Sequence, residues 1–200
     1  MACDNVCGVV LNNLVFDCNN KAVGGINQTI KLINRCDINV DDWTIDTGTT
    51  DECSHQIEFT GTDPASLGAI TVSAMPGKRL LRAAFSISND EYGWYYTHMV
   101  DLFSQGLSQS ALCNIKALGN GAELVAIVEQ NYKGQGNLDA FQVYGWHTGL
   151  KLSDLAFDSN ENNGNTIIPL SSLDPGLEPE PPYTLLMTDY ETTKAFFDSL

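Results

Sequence analysis

The sequence has few basic residues. Its 10 Lys and Arg residues stand against 25 Asp and Glu residues, which gives a formal net charge of −15. Proteins that bind nucleic acid through its phosphates need clustered basic side chains. The one such cluster here is Lys78, Arg79 and Arg82, which is too small to indicate a DNA-reading protein. The acidity fits either general solubility or a surface that repels nucleic acid.

Motifs for common enzyme chemistry are also missing. There is no HExxH or GxSxG motif and no complete phosphate-binding loop. His55, His98 and His147 are scattered along the chain, and His98 falls in an aromatic strand where a core or interface histidine is the better interpretation. We therefore expect no enzyme activity and no catalytic, cofactor or metal site. A glycosidase using Asp101 and Glu123 is a minor alternative.

The sequence contains no run of 18 apolar residues, so we expect no transmembrane helix and no membrane partner. Its first residues lack the basic and apolar segments of a secretion signal, which predicts synthesis and retention in a cytoplasm. Five of the six cysteines fall within the first 53 residues, without the repeated close pairs of a zinc site. Metal ligation and disulfides formed after release remain alternatives to free or buried thiols, which a cytoplasm favours.

What the sequence does contain is β-strand pattern. The run after Glu123 is apolar on both faces, since Leu124, Ala126 and Val128 point one way and Val125 and Ile127 the other. A strand of this kind is covered on both sides, which suggests a chain that packs against other chains. Further strands are predicted at Val9–Phe16, Gln28–Asp37, His55–Thr60, Ala69–Ala74, Arg79–Ser88, Tyr92–Ser104, Phe141–Trp146, Lys151–Phe157 and Thr166–Ser171.

Two helices interrupt this pattern. Ser108 can cap a helix over Ser108–Leu118 that ends at Gly119, and it should lie across one face of a sheet. A capping box of Thr188 and Glu191 predicts a second helix, Thr188–Leu200, which packs on its own domain or on a neighbouring subunit, with its own domain slightly favoured. The proline-rich stretch before it reads as an extended linker.

These elements predict three parts. An irregular N-terminal arm spans 1–27, a β-sandwich core spans 28–173, and a proline-rich linker with the C-terminal helix spans 174–200. The predicted fold class is mainly β, with one amphipathic helix at about 108–118 and a terminal helix at about 188–200. An acidic loop, Asp37–Glu52, and a glycine-containing loop, Glu129–Asp139, are expected at the surface. A short strand at Trp43–Asp46 within the acidic loop is an alternative.

The order of elements resembles the bacteriophage tail-tube family, and more closely the virion and tail proteins of phages of Bacteroidetes hosts. The residues that carry this resemblance are VGGINQTIKLINRCDI at Val23–Ile38, ELVAIVEQNYKGQGNLDAFQVYGWHTGLKL at Glu123–Leu152, and TDYETTKAFFDSL at Thr188–Leu200. They cover under a third of the chain.

The resemblance implies a tail-tube-like β-sandwich or partial barrel with a flanking helix. In that family six copies form a ring whose inner strands close a β-barrel, and stacked rings conduct DNA without binding it specifically. It implies a structural subunit of a virion, assembled in the bacterial host cytoplasm, whose partners are itself and other tail or connector proteins. A head–tail connector or neck ring of the same fold is an alternative.

Contacts between rings are expected in the two surface loops. The candidate residues are Asp41, Asp42, Trp43, Tyr132, Lys133 and Gln135. A different class of function, a carbohydrate-binding tail-tip module, would instead use a stacking platform of aromatic side chains. Its candidates are Trp94, Tyr95, Tyr96 and Trp146, although a core or interface position is favoured for them.

Overall fold

The computed structural model describes residues 23–49, 52–74, 80–91, 93–160, 164–172 and 177–200. The predicted strand Val9–Phe16 and most of the arm 1–27 lie outside these residues. The described residues form a mainly β fold with two α-helices, as predicted. The strands are β1 (Ile26–Asn34), β2 (Trp43–Thr49), β3 (Glu52–Phe59), β4 (Ile70–Ser73), β5 (Arg82–Asp90), β6 (Gly93–Ser104), β7 (Leu124–Gln130), β8 (Phe141–Tyr144), β9 (Lys151–Leu152), β10 (Thr166–Ser171) and β11 (Tyr183–Leu185), and the helices are α1 (Gln109–Gly119) and α2 (Tyr190–Ser199).

The strands are arranged in two sheets. The larger sheet has seven strands in the order β2-β3-β11-β8-β7-β1-β4, and the smaller has four in the order β5-β6-β10-β9. Neighbouring strands are antiparallel except for the parallel pair β3 and β11. The two sheets pack face to face, and α2 covers the outer face of the larger sheet, so the larger sheet is the middle of three layers.

Two hydrophobic cores result from this layering. The core between the sheets joins residues such as Ile30 and Leu124 of the larger sheet to Val100 and Leu170 of the smaller one. The outer core lies between the larger sheet and α2. It contains Ile33, Trp43, Ile57, Phe59, Leu67, Val125, Ile127, Ala140, Phe141, Val143, Trp146, Tyr183, Leu185, Phe196 and Phe197.

Strand β7 lies at the centre of this arrangement. Leu124, Ala126 and Val128 enter the core between the sheets, whereas Val125 and Ile127 enter the outer core. The predicted two-sided burial is therefore confirmed. Its cover comes from the same chain, so this strand by itself gives no reason to expect a neighbouring subunit.

Helix α1 begins as predicted. The Ser108 hydroxyl oxygen accepts a hydrogen bond from the Ala111 N–H at 3.1 Å, which satisfies one of the free amide groups of the first turn. Of its apolar stripe, Leu118 is buried but Leu112 is 50% exposed. The helix therefore lies along one end of the sandwich and is only partly covered by it.

The C-terminal segment is more than a linker and a helix. Residues Tyr183–Leu185 form β11, which pairs with β3 on one side and β8 on the other. Helix α2 is confirmed, and it packs on its own domain through Phe196 and Phe197. The expected capping box is wrong, because Asp189, held in an extended conformation, caps the helix by accepting from the Thr192 N–H at 2.8 Å.

Other boundaries shift for identifiable reasons. Part of the segment predicted as the acidic loop Asp37–Glu52 is strand β2, Trp43–Thr49, which extends the short strand allowed for at Trp43–Asp46. It pairs with β3 and brings Trp43 into the outer core. The predicted strand Lys151–Phe157 is reduced to Lys151–Leu152, where pairing with β10 stops. Neither helix of the described residues has the length and apolar character needed to cross a bilayer.

Candidate assembly interface

The acidic contact candidates lie at the start of β2. Asp41 and Asp42 occupy a short 3₁₀ turn, Val40–Asp42, with Asp41 exposed and Asp42 half-buried. Trp43 does not belong to this surface. Its side chain is 7% exposed and packs against Phe59 and Trp146 at centroid distances of 5.1 and 5.2 Å. The prediction of Trp43 as a contact residue is therefore wrong, because the indole contributes to the core.

The contact candidates in the loop Glu129–Asp139 also include both exposed residues and a residue held within its own chain. Tyr132 and Gln135 are exposed, whereas Lys133 is bound within its own chain. Its Nζ lies 2.7 Å from Glu129 Oε1 and 4.2 Å from the ring centroid of Tyr190. The sheet order places β3, β11 and β8 between β2 and β7, so the two candidate loops do not emerge from neighbouring strands.

Glu129 anchors α2 to the larger sheet. Its side chain is almost fully buried, and it accepts hydrogen bonds from Asn27 Nδ2 and the Tyr190 hydroxyl, both at 2.8 Å. Burial raises the pKa of this carboxyl, but hydrogen bonds from Lys133, Asn27 and Tyr190 outweigh it and hold the pKa below its usual value. This cluster stabilises the terminal helix and leaves no free group for substrate chemistry.

The three histidines, expected to be scattered, all lie against one segment, residues 177–183, which we call the strap. His55 Nε2 lies 2.9 Å from the Pro181 carbonyl oxygen, and His98 Nε2 lies 3.1 Å from that of Glu180. His147 Nε2 lies 2.9 Å from the Tyr183 hydroxyl. The three histidines are far apart in the sequence but close together in the fold, because strands β3 and β6 and the turn after β8 all converge on the strap.

His98 is a buried histidine with both ring nitrogens occupied, as the core interpretation predicts. Its side chain is 1% exposed, and its Nδ1 accepts from the Gly145 N–H at 3.0 Å. Nε2 must therefore carry the proton and donate to Glu180 O. Burial lowers the pKa of His98 to about 4, although the nearby Glu178 carboxylate raises it. The neutral ring therefore has no free nitrogen with which to act as a general base.

Glu178 was missed by sequence reasoning. Its side chain is fully buried, and the carboxylate accepts from the His147 N–H at 3.0 Å, the Thr148 N–H at 2.9 Å and the Thr148 hydroxyl at 2.8 Å. Its backbone forms a two-way bridge with Tyr96. Four prolines nearby predict an extended linker, and nothing in that composition indicates a buried carboxylate. Among the described residues, no three His, Cys, Asp or Glu side chains are placed to hold a metal ion.

A different kind of surface lies at the free end of the β5–β6 hairpin. The ladder runs without a shift from Arg82 opposite Asp101 to Asp90 opposite Gly93. Along β6 the side that carries His98 and Val100 into the core also carries Trp94, which is 64% exposed. The β5 side chains on the same side of the hairpin, Phe85 and Ile87, are also largely exposed. The resulting hairpin face consists of Phe85, at 50% exposure, Ile87, at 52%, and Trp94, with Tyr96 half-buried beside them.

The outer edge of this hairpin is also open. Strand β5 is the last strand of its sheet, and among the described residues no strand pairs with its far side. An exposed edge strand presents free backbone N–H and C=O groups to another chain. An apolar face beside such an edge is typical of a protein interface. We therefore take the hairpin face and the β5 edge as the candidate assembly interface.

The aromatic platform of the carbohydrate-binding alternative does not exist as expected. Trp146 is 8% exposed in the outer core, and Tyr95 points to the opposite face of β6 from Trp94 and Tyr96. The proposed glycosidase carboxylates are also occupied. Asp101 lies 3.6 Å from Arg82, and Glu123 lies 3.6 Å from Arg35 and 3.0 Å from Lys151.

Comparisons of the chain with protein-family models, with curated proteins and with solved structures found no match.

Proposed function

We propose that this chain is a structural subunit that assembles with copies of itself, as a ring-forming component of a phage tail tube. The observation that supports the proposal best is the hairpin face. Three large apolar side chains on one hairpin, each half or more exposed, are costly to leave in water. A second copy of the chain covers them in an assembly.

Low charge around the interface supports the same proposal. The chain carries a net charge of −15, which opposes self-association through like-charge repulsion. The hairpin face itself contains no charged side chain. Contact through this face therefore buries no charged side chain of the face, and the exposed Glu91 of the hairpin turn remains at its border. The acidic remainder of the chain suits a conduit to which DNA does not adhere. A neck ring of the same fold is the second candidate, supported by the same face.

Negative-stain electron microscopy with light scattering over a concentration series tests this function. We expect rings or short tubes with a central hole of at least about 20 Å, the width of a DNA duplex, and a scattering mass that rises with protein concentration. A particle that remains at 21.8 kDa at every concentration, including in the presence of tube ends, would contradict the proposal.

A further inference from the structure

A cavity beneath α1 is the second apolar feature with no partner among the described residues. Its volume is about 320 Å³, and its floor is formed by Leu32, Leu102 and Leu118 of the core between the sheets. Asn34 and Asn114 line it as well. None of its lining residues is charged. Interiors normally leave few voids larger than a water molecule, so a space of this size at the surface is available to a ligand or a side chain.

The cavity and the hairpin face lie at opposite ends of the same strand. Phe103 of β6 lines the cavity, and Trp94 lies nine positions earlier on that strand. At a rise of about 3.3 Å per residue the two positions are about 30 Å apart. Trp94 therefore has no access to the cavity of its own chain.

We propose that Trp94 of one copy inserts into the cavity beneath α1 of the next copy. This inference rests on the proposed self-assembly and names the contact through which it occurs. The cavity lies at the lower end of the size range of small-molecule pockets, about 300–1,000 Å³. It accommodates one aromatic side chain, whereas a helix or a strand is too large for it. Both surfaces are uncharged in a strongly acidic chain, which makes them compatible with each other.

The polar residues at the cavity suit an indole in particular. A buried Trp N–H requires an acceptor, and the amide oxygen of Asn114 supplies one. Leu112, which is 50% exposed on the same helix but does not line the cavity, adds further uncovered apolar surface on α1. The contact thus combines one deeply inserted aromatic side chain with an apolar surround, the arrangement found at interface hot spots.

This contact is heterologous, because the two surfaces that meet are different. Each copy presents one Trp94 and one cavity, so every copy contacts two neighbours. Contacts of this kind form a closed ring when the rotation from one copy to the next adds up to a full turn, and otherwise they continue as a filament. A head-to-tail contact therefore accounts for ring formation without any self-complementary surface.

Tryptophan fluorescence detects this insertion directly. Trp43 and Trp146 are 7% and 8% exposed, whereas Trp94 is 64% exposed, so a blue shift on assembly reports Trp94. We expect the shift and the scattering mass of the wild-type chain to rise together with concentration. Ala111→Phe, which fills the cavity from α1, should abolish both. Ala156→Phe, at an exposed alanine that does not line the cavity, should leave both unchanged.

A mixing experiment distinguishes this contact from other modes of assembly. Trp94→Ala keeps its cavity, and Ala111→Phe keeps its Trp94, so each alone should remain monomeric while an equimolar mixture forms a dimer of twice 21.8 kDa. Circular dichroism and thermal unfolding check that both variants fold, and Ala117→Phe replaces Ala111→Phe if that variant does not.

The outcomes separate the inference from the proposed function. If the cavity-filling variants assemble as the wild type does, or if the mixture stays monomeric, the insertion is wrong although assembly through the hairpin face stands. If the wild-type chain shows neither a rise in mass nor a blue shift at any concentration, both the insertion and the proposed assembly are wrong.

Discussion

The two ends of the stretch Trp94–Val100 of strand β6 follow one alternating pattern and meet opposite surroundings. At the inner end His98 and Val100 are 1% and 0% exposed, and the strap and the larger sheet cover them. At the outer end Trp94, on the same side of the strand, is 64% exposed. Alternation in a sequence therefore identifies which side chains share a face, but it does not identify what covers that face.

The two ends also differ in how their polar groups are satisfied. Near the strap, hydrogen bonds occupy both nitrogens of His98 and both oxygens of Glu178. At the hairpin the far edge of β5 has no strand partner among the described residues. The inner end is thus complete within one chain, whereas the outer end is completed by another molecule in our account. Substitutions at the inner end should change stability, and substitutions at the outer end should change assembly.

The largest effect on stability is expected at Glu178. Replacing Glu178 with Gln removes the charge and places an amide NH₂ among the donors from His147 and Thr148. Leaving buried donors unpaired, or paired with a neutral oxygen in place of a carboxylate, should cost about 4 kcal/mol in the free energy of unfolding. Urea denaturation measures this cost.

Glu180 provides the matched control for that substitution. It lies two residues away on the strap, but its side chain is exposed. Glu180→Gln should therefore change the free energy of unfolding by no more than about 0.5 kcal/mol. Equal losses in the two variants would show that Glu178 is not a special anchor and that the strap contributes through its backbone alone.

The second effect is a loss of stability in acid that depends on His98. Burial in the folded protein holds the pKa of this ring at about 4, against an ordinary value of 6.5. As the pH falls below 6.5 the unfolded chain takes up a proton that the folded protein does not bind until about pH 4. Stability that is fully present above pH 6.5 is therefore lost across this window, by about 3 kcal/mol at its lower end.

Comparison with His98→Gln isolates this contribution from other acid titrations. Gln supplies one acceptor and one donor in place of the ring nitrogens but does not titrate. The free energy of unfolding, measured by urea denaturation between pH 7 and pH 4, should fall less steeply in the variant than in the wild type. Parallel pH profiles would mean that His98 is not held neutral by the fold.

The smallest effect on stability is expected at the hairpin face. The double variant Phe85→Thr with Ile87→Thr removes apolar surface that is already half exposed and keeps residues that favour strands. Its free energy of unfolding, measured below the concentration at which the wild type assembles, should fall by no more than about 1 kcal/mol. A loss comparable to that of Glu178→Gln would place these side chains in the core of the monomer and refute the division between the two ends.

The parts of the fold that sequence reasoning predicted correctly depend on local pattern. The five apolar residues of β7 and the Ser108 cap of α1 each carry their signal within a few neighbouring positions. The strand predicted at Tyr92–Ser104 is also confirmed, as β6 over Gly93–Ser104. These signals are strong because side-chain period and capping chemistry are properties of the local backbone.

The parts that could not be predicted depend on distant partners. Trp43 was expected at the surface because acidic residues precede it, yet Trp146 and Phe196, more than a hundred residues away, bury it. The buried Glu178 lies among prolines, and β11 is a strand of three residues, too short to show alternation. The strand pattern of β5 and β6 likewise gives no sign that Phe85, Ile87 and Trp94 are exposed.

Sedimentation velocity over a concentration series most directly tests the claim that copies assemble through the hairpin face. The wild type is compared with the Phe85→Thr, Ile87→Thr double variant and with Ser86→Thr, a change at an exposed residue on the opposite side of β5. We predict that the wild type and Ser86→Thr form large species as concentration rises and that the double variant stays at 21.8 kDa. Assembly of the double variant at wild-type concentrations would contradict the account.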